Sequence, residues 1–109
     1  MKQPALGEFE VVVLLAILRL GDQAYGTTVR DEIERRTGRA VSRGAVYITF
    51  ERLEDKGLLK SAVGEPLPER GGRPRRFYRV SARGMKALRS SLGMLERMRE
   101  GLAPLLGDI

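Results

Sequence analysis

Neither cysteine nor histidine occurs in the 109 residues. Without cysteine there is no disulfide framework and no thiolate nucleophile. Without histidine the usual zinc sites, the Ser-His and Cys-His relays and the one side chain that titrates near neutrality are all missing. Lysine is scarce, at four residues. The acidic pairs Glu8/Glu10 and Glu32/Glu34 stand two apart, which turns the partners to different faces of a helix. Ser90 and Ser91 have no base beside them, and no dinucleotide-binding or P-loop glycine spacing occurs. The expectation is a protein that is not an enzyme and holds no metal or cofactor.

Long apolar runs are also missing. The longest, Val11 to Leu18, has eight residues and ends at Arg19, well short of the roughly 20 that cross a bilayer. Glu8 and Glu10 precede it and no small-residue cleavage site follows, so it does not read as a secretory signal. A cytoplasmic protein with no membrane partner is expected. The 12.1 kDa mass and 42% apolar content fit one small domain with its own core.

What is present in excess is arginine, with 16 residues, and the net charge is +6. Arginine suits bidentate contact with phosphate and guanine, whereas a surface that is only solvated uses lysine more freely. Residues 1–68 are balanced, while residues 69–81 hold Arg70, Arg73, Arg75, Arg76 and Arg79 against Glu69. Most of the excess is therefore concentrated around Gly71-Gly72.

Apolar spacing orders the chain. Phe9 to Leu20 predicts a helix apolar on nearly every side, which must be covered on more than one of them. Tyr25, Val29 and Ile33 mark a second helix ending at Gly38. Ser42 is a natural N-cap for a third helix running through Lys56, with Val46, Phe50 and Leu53 as its inner stripe. Leu58–Val63 and Arg76–Val80 read as strands joined by a basic loop rich in proline and glycine. Ser81 caps a last helix whose apolar residues run from Met85 to Leu105, weakened at Gly93 and Gly101 and ended or kinked by Pro104. The fold class is mainly α with a small β-hairpin: a winged helix-turn-helix over residues 1–81, followed by a C-terminal dimerisation helix over 82–109.

In that order the third helix enters a DNA major groove. Its outer face offers Gly44 for close approach, Ile48 for a thymine methyl and Tyr47 for a phosphate or base edge. Arg43 stands at its entrance beside the capping Ser42, and Arg52 lies on its flank. Glu51 and Asp55 would repel phosphate unless the helix tilts away or Glu51 accepts from a cytosine amine. Arg43 and Arg52 also read as ordinary solvated charges. A loop turned by Gly71-Gly72 and bearing Arg70, Arg73 and Arg75 suits a narrow minor groove; the other reading is a hairpin kept basic against edge pairing.

The surplus apolar surface points to a homodimer. Phe9, Val12, Val13 and Ala16 of the first helix would pack with Met85, Leu88, Leu92, Leu95, Met98 and Leu102 of the last. A symmetric dimer supplies two reading helices for a palindromic site on double-stranded DNA. The methionines alternatively line a pocket for a small-molecule effector, although no residue identifies such a ligand. A rival from another class is a winged-helix module whose basic loop binds an acidic protein.

Several runs together resemble the PadR-type transcriptional regulators. They are Leu6-Gly7-Glu8-Phe9-Glu10, Ala24-Tyr25-Gly26, Ser42-Arg43-Gly44-Ala45-Val46-Tyr47, Arg52-Leu53-Glu54-Asp55-Lys56-Gly57-Leu58, Gly72-Arg73-Pro74-Arg75-Arg76-Phe77-Tyr78 and Ser81-Ala82-Arg83-Gly84. The similarity spans roughly residues 6–100. It implies a dimeric winged-helix regulator, usually a repressor, of the short form with one C-terminal helix. It also implies DNA contact through Tyr25, Gly26 and Thr27, through Tyr47, and through Arg73 and Arg75. Phe50 stands where the family usually has leucine. Some relatives hold planar aromatic ligands between tryptophans, and this chain has no tryptophan, so that ligand is not carried over.

Overall fold

The computed structural model describes residues 5–66 and 74–107. Helix α1 (Glu8–Leu20) leads through a 3₁₀ turn at Gly21–Gln23 to α2 (Gly26–Thr37) and α3 (Arg43–Asp55). Strands β1 (Leu59–Pro66) and β2 (Pro74–Val80) form an antiparallel hairpin in which Leu59 faces Val80 and Ala62 faces Phe77. Helices α4 (Ala82–Arg99) and α5 (Ala103–Leu106) follow. The two predicted caps are made: Ser42 Oγ accepts from the Ala45 amide at 3.0 Å, and Ser81 Oγ from the Gly84 amide at 2.9 Å.

The strands run further toward the loop than expected, to Pro66 and from Pro74 instead of to Val63 and from Arg76, and the last helix differs more. The apolar stripe continues to Leu105, but the helix stops at Arg99, and Gly101 adopts a φ of 81°. Pro104 does not end α4; it stands in the first turn of α5, where its missing amide proton has no partner to lose.

The core gathers Val13, Leu14, Ala16 and Ile17 of α1, Val29 and Ile33 of α2, Val46, Phe50 and Leu53 of α3, Tyr78 of β2, and Ala87 and Leu88 of α4. The all-round apolar character of α1 is thus answered from within, since α2, α3, β2 and α4 all pack on it. Val13, Ala16 and Leu88, assigned from the sequence to a partner's interface, are buried in the protomer's own core. They have no remaining area to give a second chain.

Charged contacts fasten α1 to both ends of α3. Glu10 Oε2 lies 2.8 Å from Lys56 Nζ at the α3 C-cap. Glu8 Oε1 lies 3.0 Å from Arg39 in the turn before α3, and the Arg39 guanidinium rests 5.4 Å from the Phe9 ring centre. Burial alone would raise the Glu10 carboxyl, but hydrogen bonds from Lys56 and the Gly7 amide, with the charges of Lys56 and Arg52, bring it below the ordinary carboxylate range. On α2 the Arg35 hydrogen bond leads in lowering Glu32, with Arg36 assisting.

For both carboxyls the unfolded chain binds the proton more readily than the folded one. Their contribution is therefore present above the unfolded carboxylate range and lost as pH falls through the lowered folded values. We expect the melting temperature to drop steadily from about pH 5 downward, and Glu10→Gln to flatten part of that drop while melting lower at neutral pH. Thermal melts of both proteins across this range would check it; parallel profiles would remove Glu10 from the account.

Candidate nucleic-acid interface

With Val46, Thr49, Phe50 and Leu53 turned inward, helical geometry leaves Gly44, Tyr47, Ile48, Glu51, Arg52 and Asp55 on the outside of α3. Tyr47 is 43% and Ile48 53% exposed, high for large side chains on a helix whose other face is the core. Ser42, Arg43 and Gly44 are exposed at its entrance.

Tyr47 is held at its base. Its ring meets Phe50 edge-on, with centres 5.8 Å apart, and Phe50 stacks on Tyr78 of the hairpin at 3.9 Å. Its outer end lies over Gly26, where a Cβ would overlap the phenolic oxygen and sit 2.6 Å from Cζ. Gly26 is buried. Gly26, expected from the sequence to touch DNA, leaves room for Tyr47, and α2 and α3 close on one another through that pair.

The neighbouring Tyr25 extends the surface to the hairpin. Its amide donates to Thr28 Oγ1 at 3.0 Å, which fixes the first turn of α2. Its ring meets Phe77 edge-on at 5.4 Å, and the Arg75 guanidinium lies 4.4 Å above it, a cation–π arrangement. Arg75 Nε is buried without a hydrogen-bond partner among the described residues. Thr27, half-buried, completes that turn. The α3 face, the α2 N-terminus and the loop-ward half of β2 therefore form one continuous surface. Arg70, Gly72 and Arg73 lie outside the described residues.

Sequence reasoning missed Phe77 as a positioning residue. Strand alternation set it opposite Tyr78, facing away from the core, but nothing local signals that Tyr25, about fifty positions earlier, waits there. A second ordering contact is also non-local: Arg76 donates to Ser61 Oγ at 3.0 Å, and Ser61 donates to Glu54 of α3 at 2.7 Å.

At the other side of the molecule a groove of about 640 Å³ runs between α1 and α4, lined by Leu6, Val11, Val12, Met94 and Leu95 among others. Of the proposed partner-facing residues, Phe9, Val12, Met85 and Leu92 are half-buried, whereas Leu95 (55%), Met98 (73%) and Leu102 are exposed. Among the described residues no group of three or more acidic side chains stands where it could hold a metal, and no helix is long and apolar enough to cross a membrane.

Three packed helices, the third with an outward face, followed by an antiparallel hairpin define a winged helix-turn-helix DNA-binding domain. Residues 14–90 match the transcriptional regulator PadR-like family. The chain belongs to that family, whose members regulate transcription and are not enzymes. None of the curated proteins matches it in sequence.

Solved structures agree. The chain is similar to a PadR family transcriptional regulator from Eggerthella lenta, with 26% identity, a TM-score of 0.67, and coverage of 94% of this chain and 88% of that one. It is similar to a PadR family regulator from Clostridium difficile at 21% identity and a TM-score of 0.69, covering 91% and 99%. F93 from STIV, a winged-helix DNA-binding protein, shares the fold at 18% identity and a TM-score of 0.66, covering 90% and 98%.

Proposed function

We propose that this DNA-binding regulator is a homodimeric, cytoplasmic repressor of a palindromic operator, with α3 in the major groove and the arginine-bearing loop in the flanking minor groove. The exposed face of α3 at Gly44, Tyr47 and Ile48 carries the reading. An apolar helix face made continuous with Arg75 has the chemistry of a groove contact rather than of a solvated surface. Ser42, Arg43 and Arg52 border that face, and Thr27 supplies a hydroxyl at the start of α2.

Dimerisation is supported by the exposed Leu95 and Met98, which continue along α4 beyond the protomer's core, and by the exposed Leu102 before α5. Residues 82–109 act in this reading as the pairing segment beside the DNA-binding unit of 1–81. Repression requires only that a dimer cover a promoter. An effector that released the protein would compete with the partner for the apolar groove between α1 and α4.

Selection from random duplex DNA tests this. Recovery of an inverted repeat with half-sites about one helical turn apart, bound about 10³-fold better than unrelated sequence, is the expected result. Salt-weakened binding without a motif would favour an acidic protein as the partner instead. Arg73→Ala combined with Arg75→Ala should reduce the slope of log affinity against log salt by up to about two. The corresponding lysine pair, which keeps the charge, should not.

A further inference from the structure

The outer face of α3 carries an acid in mid-helix that general attraction to DNA does not explain. Glu51 is exposed, and among the described residues it makes no ion pair or hydrogen bond. Of the other acids of α3, Glu54 accepts from Ser61 and so fastens the hairpin, while Asp55, exposed like Glu51, stands at the last residue of the helix, farthest from its entering end. Glu51 stands one turn beyond Ile48, in mid-helix, where a negative charge works against approach to phosphate.

An ionised carboxylate only accepts hydrogen bonds. Along the major groove the donors are the cytosine N4 and adenine N6 amines. Adenine N6 is flanked by acceptors on both sides, its own N7 and the O4 of the paired thymine. Cytosine N4 has an acceptor on one side only, the O6 of the paired guanine. A carboxylate is therefore repelled least at cytosine. Ile48 has the complementary preference, since its branched apolar end gains by contact with a thymine C5-methyl. Three residues of helix advance about 4.5 Å, against a base-pair rise of 3.4 Å.

We propose that Ile48 and Glu51 are a specificity pair. Ile48 selects a thymine by its methyl group, and Glu51 selects a cytosine, within about two base pairs of it, by accepting from the N4 amine. Glu51 trades phosphate attraction for rejection of other bases at that position. The inference rests on α3 lying in the major groove.

The test is the same random-duplex selection, run on the full chain as wild type, Glu51→Gln and Glu51→Ala. The wild type should return half-sites in which a cytosine stands within about two base pairs of a thymine. Glu51→Gln should convert that cytosine to adenine and leave the rest of the half-site unchanged, because glutamine pairs with adenine N6 and N7. Glu51→Ala should lose about tenfold or more discrimination at that position alone and bind unrelated duplex more tightly. A second measurement uses only wild-type protein: deoxyuridine in place of the motif's thymine should weaken binding about fourfold, the loss of one buried methyl.

A wild-type motif that both Glu51 variants reproduce unchanged would overturn the pair while leaving major-groove reading intact. So would a loss of preference at a base other than cytosine, or indifference to deoxyuridine. Absence of any wild-type motif would remove groove reading itself, and the pair with it.

Discussion

Gly84→Ala is expected to lower the melting temperature by about 10 °C or more, through a single methyl group. Gly84 is in the first turn of α4, and a Cβ there would overlap the Leu58 carbonyl oxygen and lie 2.8 Å from Val80 Cγ1. The Leu58 carbonyl is not free to retreat, because it accepts the Ser81 amide at 3.0 Å. Ser81 is fixed in turn by donating its hydroxyl to the Gly57 carbonyl at 2.8 Å while capping α4. The clash is thus with backbone on one side and a packed valine on the other. Overpacking of this kind costs about 1–3 kcal/mol, and each kcal/mol moves the midpoint of a domain this size by roughly 4–8 °C. A Gly84→Ala protein melting within about 2 °C of wild type would mean that α4 is not seated on the hairpin as described.

Phe50→Ala should cost about 3–5 kcal/mol, a large share of the 5–15 kcal/mol typical of a whole domain. Phe50 is 1% exposed and is among the largest fully buried side chains of the core. Its ring carries Tyr78 on one side and meets the edge of Tyr47 on another, so removal hollows the core and leaves Tyr47 without its base. Affinity for DNA should fall even where the variant remains folded. Phe50→Leu places the residue more usual in the family at this position. It should cost about 1–2 kcal/mol and leave binding nearly intact, because leucine fills most of the same space. Denaturant midpoints and DNA titrations on both variants separate the effects. Equal losses from alanine and leucine would show that the aromatic contact, and not the filled volume, is what matters.

The elements were legible because their signals are local. Ser42 and Ser81 announce helix starts, and Val46, Phe50 and Leu53 recur at helical spacing. Tyr78 and Phe77 alternate as a strand requires. The outward residues of α3 followed from the same periodicity, since fixing the inner stripe fixes the outer one. Periodicity shows that a residue is buried but not what covers it. For that reason periodicity assigns Val13, Ala16 and Leu88 to a second chain, whereas elements of the same protomer supply their cover. Gly26 is also a place for Tyr47 to approach, which its own neighbours in sequence do not signal. Glu10 with Lys56, Tyr25 with Phe77 and Gly84 with Leu58 are meetings of segments far apart in the chain. No window of neighbouring residues contains both partners.

The position of α1 bears on how the chain is made. The helix is made before the elements that cover it, and its inner face of Val13, Leu14, Ala16 and Ile17 is closed by elements as late as α4. A nascent chain that ends before Ala87 and Leu88 therefore carries an incompletely covered apolar helix. Such surface promotes association between growing chains and engagement by chaperones. Synthesis of α4, more than the appearance of the DNA-reading helix, is the step that completes the cover of α1.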